Sequence, residues 1–311
     1  MAKLRLLFIT KDFRNYTERN TAYLCEELDK LSNLMVWYND GDIRQILRHI
    51  PNKPEFILIN DMKETRSPRI SGLSALKTSF GIIMHDIHYK ISEREQYLKK
   101  NKVQYIFSIY RDAYKKRFRR HIDKMIWMPH WINTNIFKDY GLSRDIDWLM
   151  MGKLASYYPL RKKMFQALNN KPGFVYHPHP GYRQVNELGE KEFFVGERYA
   201  REIAKAKMFL TCDSIFHYPI IKYYEVLACK TLLLAPASQE LSDLGFIPGV
   251  NFVEVDQNNF MEKADYYLAN SKERESIAET GFHMVRKNHS VNVRATQLIE
   301  SIKAILARSY A

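Results

Sequence analysis

Lys222-Tyr-Tyr-Glu225-Val-Leu-Ala-Cys-Lys-Thr231-Leu-Leu-Leu-Ala-Pro236 is a short helix that runs straight into an apolar strand. A second buried strand, Lys207-Met-Phe-Leu-Thr-Cys212, precedes it, and the connecting loop contains Pro219. Strand, loop, helix and strand in that order make one unit of a parallel sheet, whose ligands gather at the carboxyl ends of the strands. This unit carries charge at that end. Lysine can meet a phosphate there, and glutamate can accept two hydrogen bonds from a ribose diol. Lys222 and Glu225 are three residues apart and share one helical face. They therefore read either as ligand groups or as an intrahelical ion pair contributing only about a few tenths of a kcal/mol.

Working outward, the same alternation fills the chain. Strands are expected at Lys3–Thr10, Leu34–Tyr38, Phe56–Asn60, Phe80–His85, Val103–Ile109 and Met125–Met128. Helices are expected between them at Glu18–Leu31, Ile43–His49 and Glu93–Asn101, with a helix or irregular segment at Ser67–Leu76. After an Asp-, Gly- and Ser-rich linker near 138–145, a second series opens with Ile146-Asp-Trp-Leu-Met-Met-Gly152. It continues through helix Leu160–Asn169, strand Phe174–His177, an irregular stretch from Pro178 to Gly189, and helix Arg198–Ala206. Beyond the opening stretch come strand Asn251–Val255 and helices near Ser238–Leu244, Asn259–Ala269, Glu273–Asn288 and Val291–Ser309. Short apolar runs alternating with amphipathic helices indicate an α/β chain with doubly wound parallel sheets.

At 311 residues, 46% of them hydrophobic and 13% aromatic, the chain has material for two packed domains. No apolar run approaches the roughly 20 residues of a membrane span, and the first is too short for a signal-peptide core. Cys25, Cys212 and Cys229 are scattered, which points to a reducing, cytoplasmic setting. The formal charge of +13 favours anionic partners. Much of it lies in Arg111–Lys124, where Tyr114, Phe118 and Ile122 recur every four residues and suggest one amphipathic helix. Lys115, Lys116, Arg119 and Arg120 then form either a solvated face or a docking face for an anionic membrane, with nucleic acid as a further partner.

Gly152-Lys153-Leu-Ala-Ser156-Tyr157-Tyr158-Pro159-Leu-Arg161 joins a strand to a helix. Glycine at a strand end lets a ligand approach the backbone, and Arg161 in the first helical turn can hold a diphosphate; the alternative is a plain turn with a surface arginine. Met84-His85-Asp86-Ile-His88 ends a strand, and His177-Pro-His179-Pro follows another. Either group can be read as metal ligands, but the spacing matches no familiar site, and no metal is expected. Gly-x-Ser-x-Gly, Walker and Gly-x-Gly-x-x-Gly motifs are absent, which counts against hydrolase, ATPase and dinucleotide oxidoreductase readings.

The Lys222–Pro236 stretch resembles the donor-binding segment of GT-B, group 1 (GT4-type) glycosyltransferases. Tyr158-Pro-x-Arg161 is similar to their CgeB-like (spore maturation) branch. Trp127-Met-Pro129-His130-Trp-Ile-Asn133-Thr-Asn135-Ile-Phe137 resembles the interdomain segment, with Trp131 in place of glycine and Asn133 in place of aspartate. The loop Thr10–Arg14 lacks the family's Gly-Gly pair, and His217 stands where the first of two glutamates is usual. The resemblance implies two Rossmann-like domains facing a cleft. An acceptor-side domain would span 1–141, a nucleotide-sugar-binding domain 142–290, and a terminal helix, 291–311, would pack back on the first. It implies retaining, metal-independent transfer from a nucleotide diphosphate sugar, a UDP-sugar, to an unknown acceptor, with no separate cofactor. His85, Arg161 and Lys222 would be catalytic; Gly152, Tyr158, Arg161, His179, His217, Lys222, Tyr223 and Glu225 would bind the donor. Two alternatives stay open: a glycosyltransferase acting on DNA or another polymer, and a nucleotide-sugar binder without turnover.

Overall fold

The computed structural model describes residues 3–309. The chain divides into two compact units, one holding the residues up to Arg14, Thr21–Pro129 and those from Asn292 onward, the other Asn15–Asn20 and His130–Val291.

The first unit is built on strands β1 (Arg5–Ile9), β2 (Asn33–Trp37), β3 (Gly41–Asp42), β4 (Phe56–Asn60), β5 (Ile70–Ser71), β6 (Ser79–Met84), β7 (Tyr105–Ser108) and β8 (Met125–Trp127). Six of them form a wholly parallel sheet in the order β2-β1-β4-β6-β7-β8. Phe56–Asn60 is buried at every residue, as a central strand covered on both faces must be. Segment 67–76 is irregular: the two-residue strands β3 and β5 pair in parallel, and a 3-10 turn spans Leu73–Ala75. Helix Val291–Ser309 carries the chain from the second unit into the first.

The second unit contains β9 (Ile146–Met151), β10 (Phe174–His177), β11 (Ala206–Leu210), β12 (Leu232–Ala235) and β13 (Val253–Glu254), again all parallel, in the order β10-β9-β11-β12-β13. Strand order reverses between β9 and β11, so the crevice for a ligand opens at their carboxyl ends. Trp148, Met150, Met164, Met208, Leu210, Leu232, Leu234 and Phe260 fill one face of this sheet. Helix Ser271–His289 packs on helix Lys222–Ala228 through Gly281. A Cβ there would stand 2.4 Å from the Asn251 carbonyl oxygen and 2.9 Å from a methyl of Leu227. That close approach presses the Lys222–Ala228 helix onto the sheet.

Three expectations need correction. The basic segment is not one helix. Helix Arg111–Arg117 ends at Phe118, whose φ of −116° and ψ of 47° break it, and a 3-10 segment follows over Arg119–Lys124. Tyr114 and Phe118 are fully buried, stacked with centroids 5.2 Å apart, and the Tyr114 hydroxyl donates to the His121 carbonyl. Their apolar surface belongs to the core of the unit, and only Ile122 of the expected stripe is exposed. Second, Pro178–Gly189 is not irregular throughout: Glu187–Glu192 is helical, capped by the Asn186 side chain, which accepts from the Gly189 amide. Third, Tyr223 is a core residue. It is fully buried, its hydroxyl donates to the Pro236 carbonyl at 2.6 Å, and its ring meets Phe246 and Phe252 edge-on. No helix among the described residues is long and apolar enough to cross a membrane.

Candidate functional site

The site of the second unit is built where β9 and β11 end. Strand β9 stops at Gly152, whose φ of +140° is a conformation that side chains disfavour. A Cβ on Gly152 would lie 3.1 Å from Arg161 Nη1 and 3.3 Å from Lys222 Cε. Glycine is thus required for two cations from separate helices to converge on this strand end.

Arg161 sits in the first turn of helix Pro159–Leu168, where Pro159 pre-sets the helical φ. It is no surface residue, being only 2% exposed. Its guanidinium donates to the Lys153 carbonyl (3.1 Å), Thr211 Oγ1 (3.1 Å) and the Cys212 carbonyl (3.4 Å), tying the β9 and β11 loops together. Tyr158 stacks on it with the ring centroid 4.1 Å away, and Nε is buried without a hydrogen-bond partner. Tyr158 therefore holds the arginine from behind, a positioning contact.

Lys222 and Glu225 lie on one face of their helix, as expected, but the phenol of Tyr199 stands between them. Lys222 Nζ donates to Tyr199 Oη at 3.0 Å, and Tyr199 donates to Glu225 Oε2 at 2.9 Å. Burial, with Arg161 adding to it against the opposing pull of Glu225, lowers the Lys222 pKa to about 8. Burial raises that of Glu225, against Lys222 and the Tyr199 hydrogen bond. Tyr199 is held protonated by burial and by the neighbouring carboxylate. It comes from helix Gly196–Ala204, and no spacing in the sequence links it to a lysine 23 residues on.

His179 joins the same cluster electrostatically. Desolvation, then the charges of Lys222, Arg161 and Lys153, hold its pKa down to about 4. Its Nδ1 accepts the Gly181 amide hydrogen at 2.9 Å, so the neutral ring presents Nε2–H as a donor. The ring is exposed at the surface, and the three cations that add to desolvation there suit an anion. His177, by contrast, is taken up by Glu202 at 2.9 Å and by the ring of Phe194. His217 is itself exposed on the loop after β11, in the left-handed region at φ +55°, with Nδ1 2.7 Å from Asp213 Oδ2.

His85 belongs to the first unit, at the end of β6. Its Nε2 lies 2.8 Å from Asn60 Oδ1, and Asn60 Nδ2 donates to Thr10 Oγ1 and Thr21 Oγ1. Asn60 Nδ2 also donates to the Arg66 carbonyl at 3.4 Å, which can only accept, so the amide oxygen faces His85 and accepts from its Nε2–H. Behind it lies a buried ion pair: Arg94 Nη1 to Asp61 Oδ1 at 2.8 Å, with neither side chain more than 1% exposed. Asp61 also accepts from the His85 amide (3.0 Å) and from the amides of Met62 and Lys63. Asp86 pairs with Lys63. Among the described residues no group of three or more His, Cys, Asp and Glu side chains is placed to hold a metal ion.

Trp131 and Asn133 have local structural roles. The Trp131 indole donates to the Asn20 carbonyl at 3.0 Å, and Asn133 Oδ1 accepts the Asn135 amide at 3.0 Å.

Residues 161–300 match the model of a family described as glycosyl transferase-like. No curated protein sequence gives a significant match to the chain. Solved structures do match in fold. Sucrose-phosphate synthase from Thermosynechococcus elongatus superposes with a TM-score of 0.69 at 12% identity, covering 98% of this chain and 100% of that one. A glycosyltransferase from Rickettsia africae gives 0.67 at 11% identity, with coverage of 98% and 99%. HepE from Anabaena, solved in complex with UDP and glucose, gives 0.65 at 10% identity, with coverage of 96% and 99%. The chain therefore has the GT-B fold of two Rossmann-like domains, and its second unit is similar in sequence to a glycosyl transferase-like family.

Proposed function

We propose that the protein is a glycosyltransferase that moves a sugar from a UDP-sugar to an acceptor, with retention of configuration and without a metal. One observation carries this reading: Gly152, Arg161 and Lys222 converge at the strand-order reversal, with Glu225 one helical turn away. That is the arrangement a nucleoside diphosphate needs, with cations at the phosphates and a carboxylate at the ribose. The family match over residues 161–300, and the UDP held by a protein of the same fold, are consistent with it. The resemblance of Tyr158-Pro159-x-Arg161 supports the CgeB-like branch as part of this reading.

In this mechanism the bond from the sugar's anomeric carbon to the diphosphate oxygen breaks, and a bond to the acceptor oxygen forms on the same face. Lys222 and the Arg161 corner stabilise the charge that grows on the leaving diphosphate. A diphosphate oxygen takes the acceptor's proton, so no side-chain base is required. Glu225 fixes the ribose, and the Nε2–H of His179 donates toward the phosphates.

Glu225→Gln is expected to weaken UDP binding by roughly 1–3 kcal/mol, the range for a lost charge-assisted hydrogen bond, with the fold unchanged by circular dichroism. Titration calorimetry checks this; unaltered affinity would remove Glu225 from the site.

The basic surface of the first unit adds a location. Lys115, Lys116, Arg119 and Arg120 are all exposed, and with Tyr114 and Phe118 buried the attraction is one of charge alone. Each such residue contributes about 1 kcal/mol near an anionic bilayer, and salt screens it. We expect wild-type protein to co-sediment with phosphatidylserine-rich vesicles at low salt and to detach at roughly physiological salt and above. The variant with all four residues changed to glutamine should stay in the supernatant while binding UDP normally. Tight binding to duplex DNA with no vesicle binding would place a nucleic-acid partner on this surface instead.

A further inference from the structure

Lys222 and Glu225 are a lysine and a glutamate at a spacing that ordinarily gives a direct contact on a helix surface. Here each is engaged by a third group instead. The single oxygen of Tyr199 accepts from Lys222 at 3.0 Å and donates to Glu225 at 2.9 Å. The ring that carries this oxygen is itself fixed. It meets Phe137 edge-on at 5.8 Å, and Lys222 Nζ lies 5.2 Å from its centroid. The helix bearing it is anchored by Ala200, Ile203 and Ala204 in the core, all at most 1% exposed. Ring packing and helix anchorage thus hold the Tyr199 hydroxyl between the two charges.

We propose that Tyr199 is a positioning residue that keeps the Lys222 ammonium and the Glu225 carboxylate from pairing with each other, so that both stay available to the two ends of a nucleoside diphosphate. The inference rests on the reading of this crevice as the donor site and adds to it a residue outside the charged set. The chemistry is specific to a phenol. It has one lone-pair site for the ammonium and one hydrogen for the carboxylate, and it carries no charge of its own to compete for either. Without it, the ammonium and carboxylate would face each other in a desolvated pocket. There, each would lack the partner that Tyr199 supplies, and the opposite charge one turn away is the nearest group able to replace it. The direct pair would then be a closed state that a ligand must break open.

The test uses the full-length protein and two probes, UDP and uridine, measured by calorimetry. Tyr199→Phe preserves the ring and its packing. It should weaken UDP binding at least tenfold, because a Lys222–Glu225 pair now competes with both the phosphates and the ribose. Uridine binding should fall as well, although uridine has no phosphate and Tyr199 lies outside the charged contacts. The decisive variant is Tyr199→Phe combined with Glu225→Gln. With no carboxylate to capture it, Lys222 returns to the phosphates, and UDP should bind this double variant no more weakly than it binds Glu225→Gln alone. A merely structural Tyr199 would give additive losses instead, and that result overturns the proposal. So does a Tyr199→Phe protein that binds UDP as the wild type does. If the wild-type protein binds neither probe, nor any other nucleoside diphosphate, the donor-site reading itself fails, which is a distinguishable outcome.

Discussion

Lys222→Met should lower turnover by about 100- to 1,000-fold, the usual cost of removing one preorganised charge from a developing anion, with a much smaller change in the Michaelis constant. The reason is geometric. Lys222 lies beside Gly152 and Arg161 at the strand ends, where the proposed transfer puts the charge of the leaving diphosphate. Methionine retains the length and packing of the lysine stem, so thermal stability should hold. The ammonium also sets a pH dependence. Its pKa in the free protein is lowered to about 8, by burial first and with Arg161 adding to it. The charged form that binds phosphate is therefore lost as pH rises through that value. The terminal phosphate of UDP is already fully ionised there, its last proton leaving near pH 6. UDP affinity should accordingly be flat below about pH 8 and fall above it, approaching tenfold per pH unit. Lys222→Arg should remove that decline, because guanidinium does not titrate in this range. Initial-rate kinetics and calorimetry from pH 7 to 10 check both statements. Wild-type turnover in Lys222→Met would take this lysine out of the mechanism.

Breaking the Asp61–Arg94 pair should cost the protein about 3–5 kcal/mol of stability, as removal of one partner from a buried ion pair does. Asp61 is the more sensitive end. It meets Arg94 through both oxygens and also accepts the amides of Met62, Lys63 and His85, all of which Asp61→Ala would leave unpaired. It also occupies φ +70°, which asparagine tolerates better than alanine. Asp61→Ala should therefore fall at the upper end of the range and Arg94→Met lower. Asp61→Asn should lie between the wild type and Asp61→Ala. Urea unfolding followed by fluorescence, with midpoint and slope both fitted, measures the differences. A loss below about 1 kcal/mol for Asp61→Ala would place the pair among the weak surface bridges.

Much of this molecule was legible in the chain itself. Phe56–Asn60 and Phe174–His177 are strands over the very residues expected; the first is a central strand buried at every residue, which reads as an apolar run, and the second a half-buried edge strand. Arg161, Lys222 and Glu225 could be singled out because charge at a strand–helix junction of such a sheet has few structural uses. Elsewhere local pattern and tertiary demand diverged. A period of four over Tyr114, Phe118 and Ile122 describes a helix. Burying Phe118 against Tyr114 turned the chain at that point and left Ile122 outside. In Lys222–Ala228, Tyr223, Tyr224, Val226, Leu227 and Ala228 are all buried, so periodicity could not say which tyrosine faced a ligand. Packing assigned Tyr223 to Pro236, Phe246 and Phe252.

The largest gap concerns partners distant in sequence. Residue type and spacing carry the fold class, since burial on a sheet or along a helix repeats with a short period. They also carry the identity of the charged groups. They do not carry the orientation of Asn60 toward His85, the closure of Asp61 on Arg94, or the insertion of Tyr199 between Lys222 and Glu225. Those contacts join segments 23 to 33 residues apart and exist only once strand order and helix packing have been chosen. Hydrogen bonds act over about 3 Å, and nothing in a local pattern encodes so short a distance between remote residues.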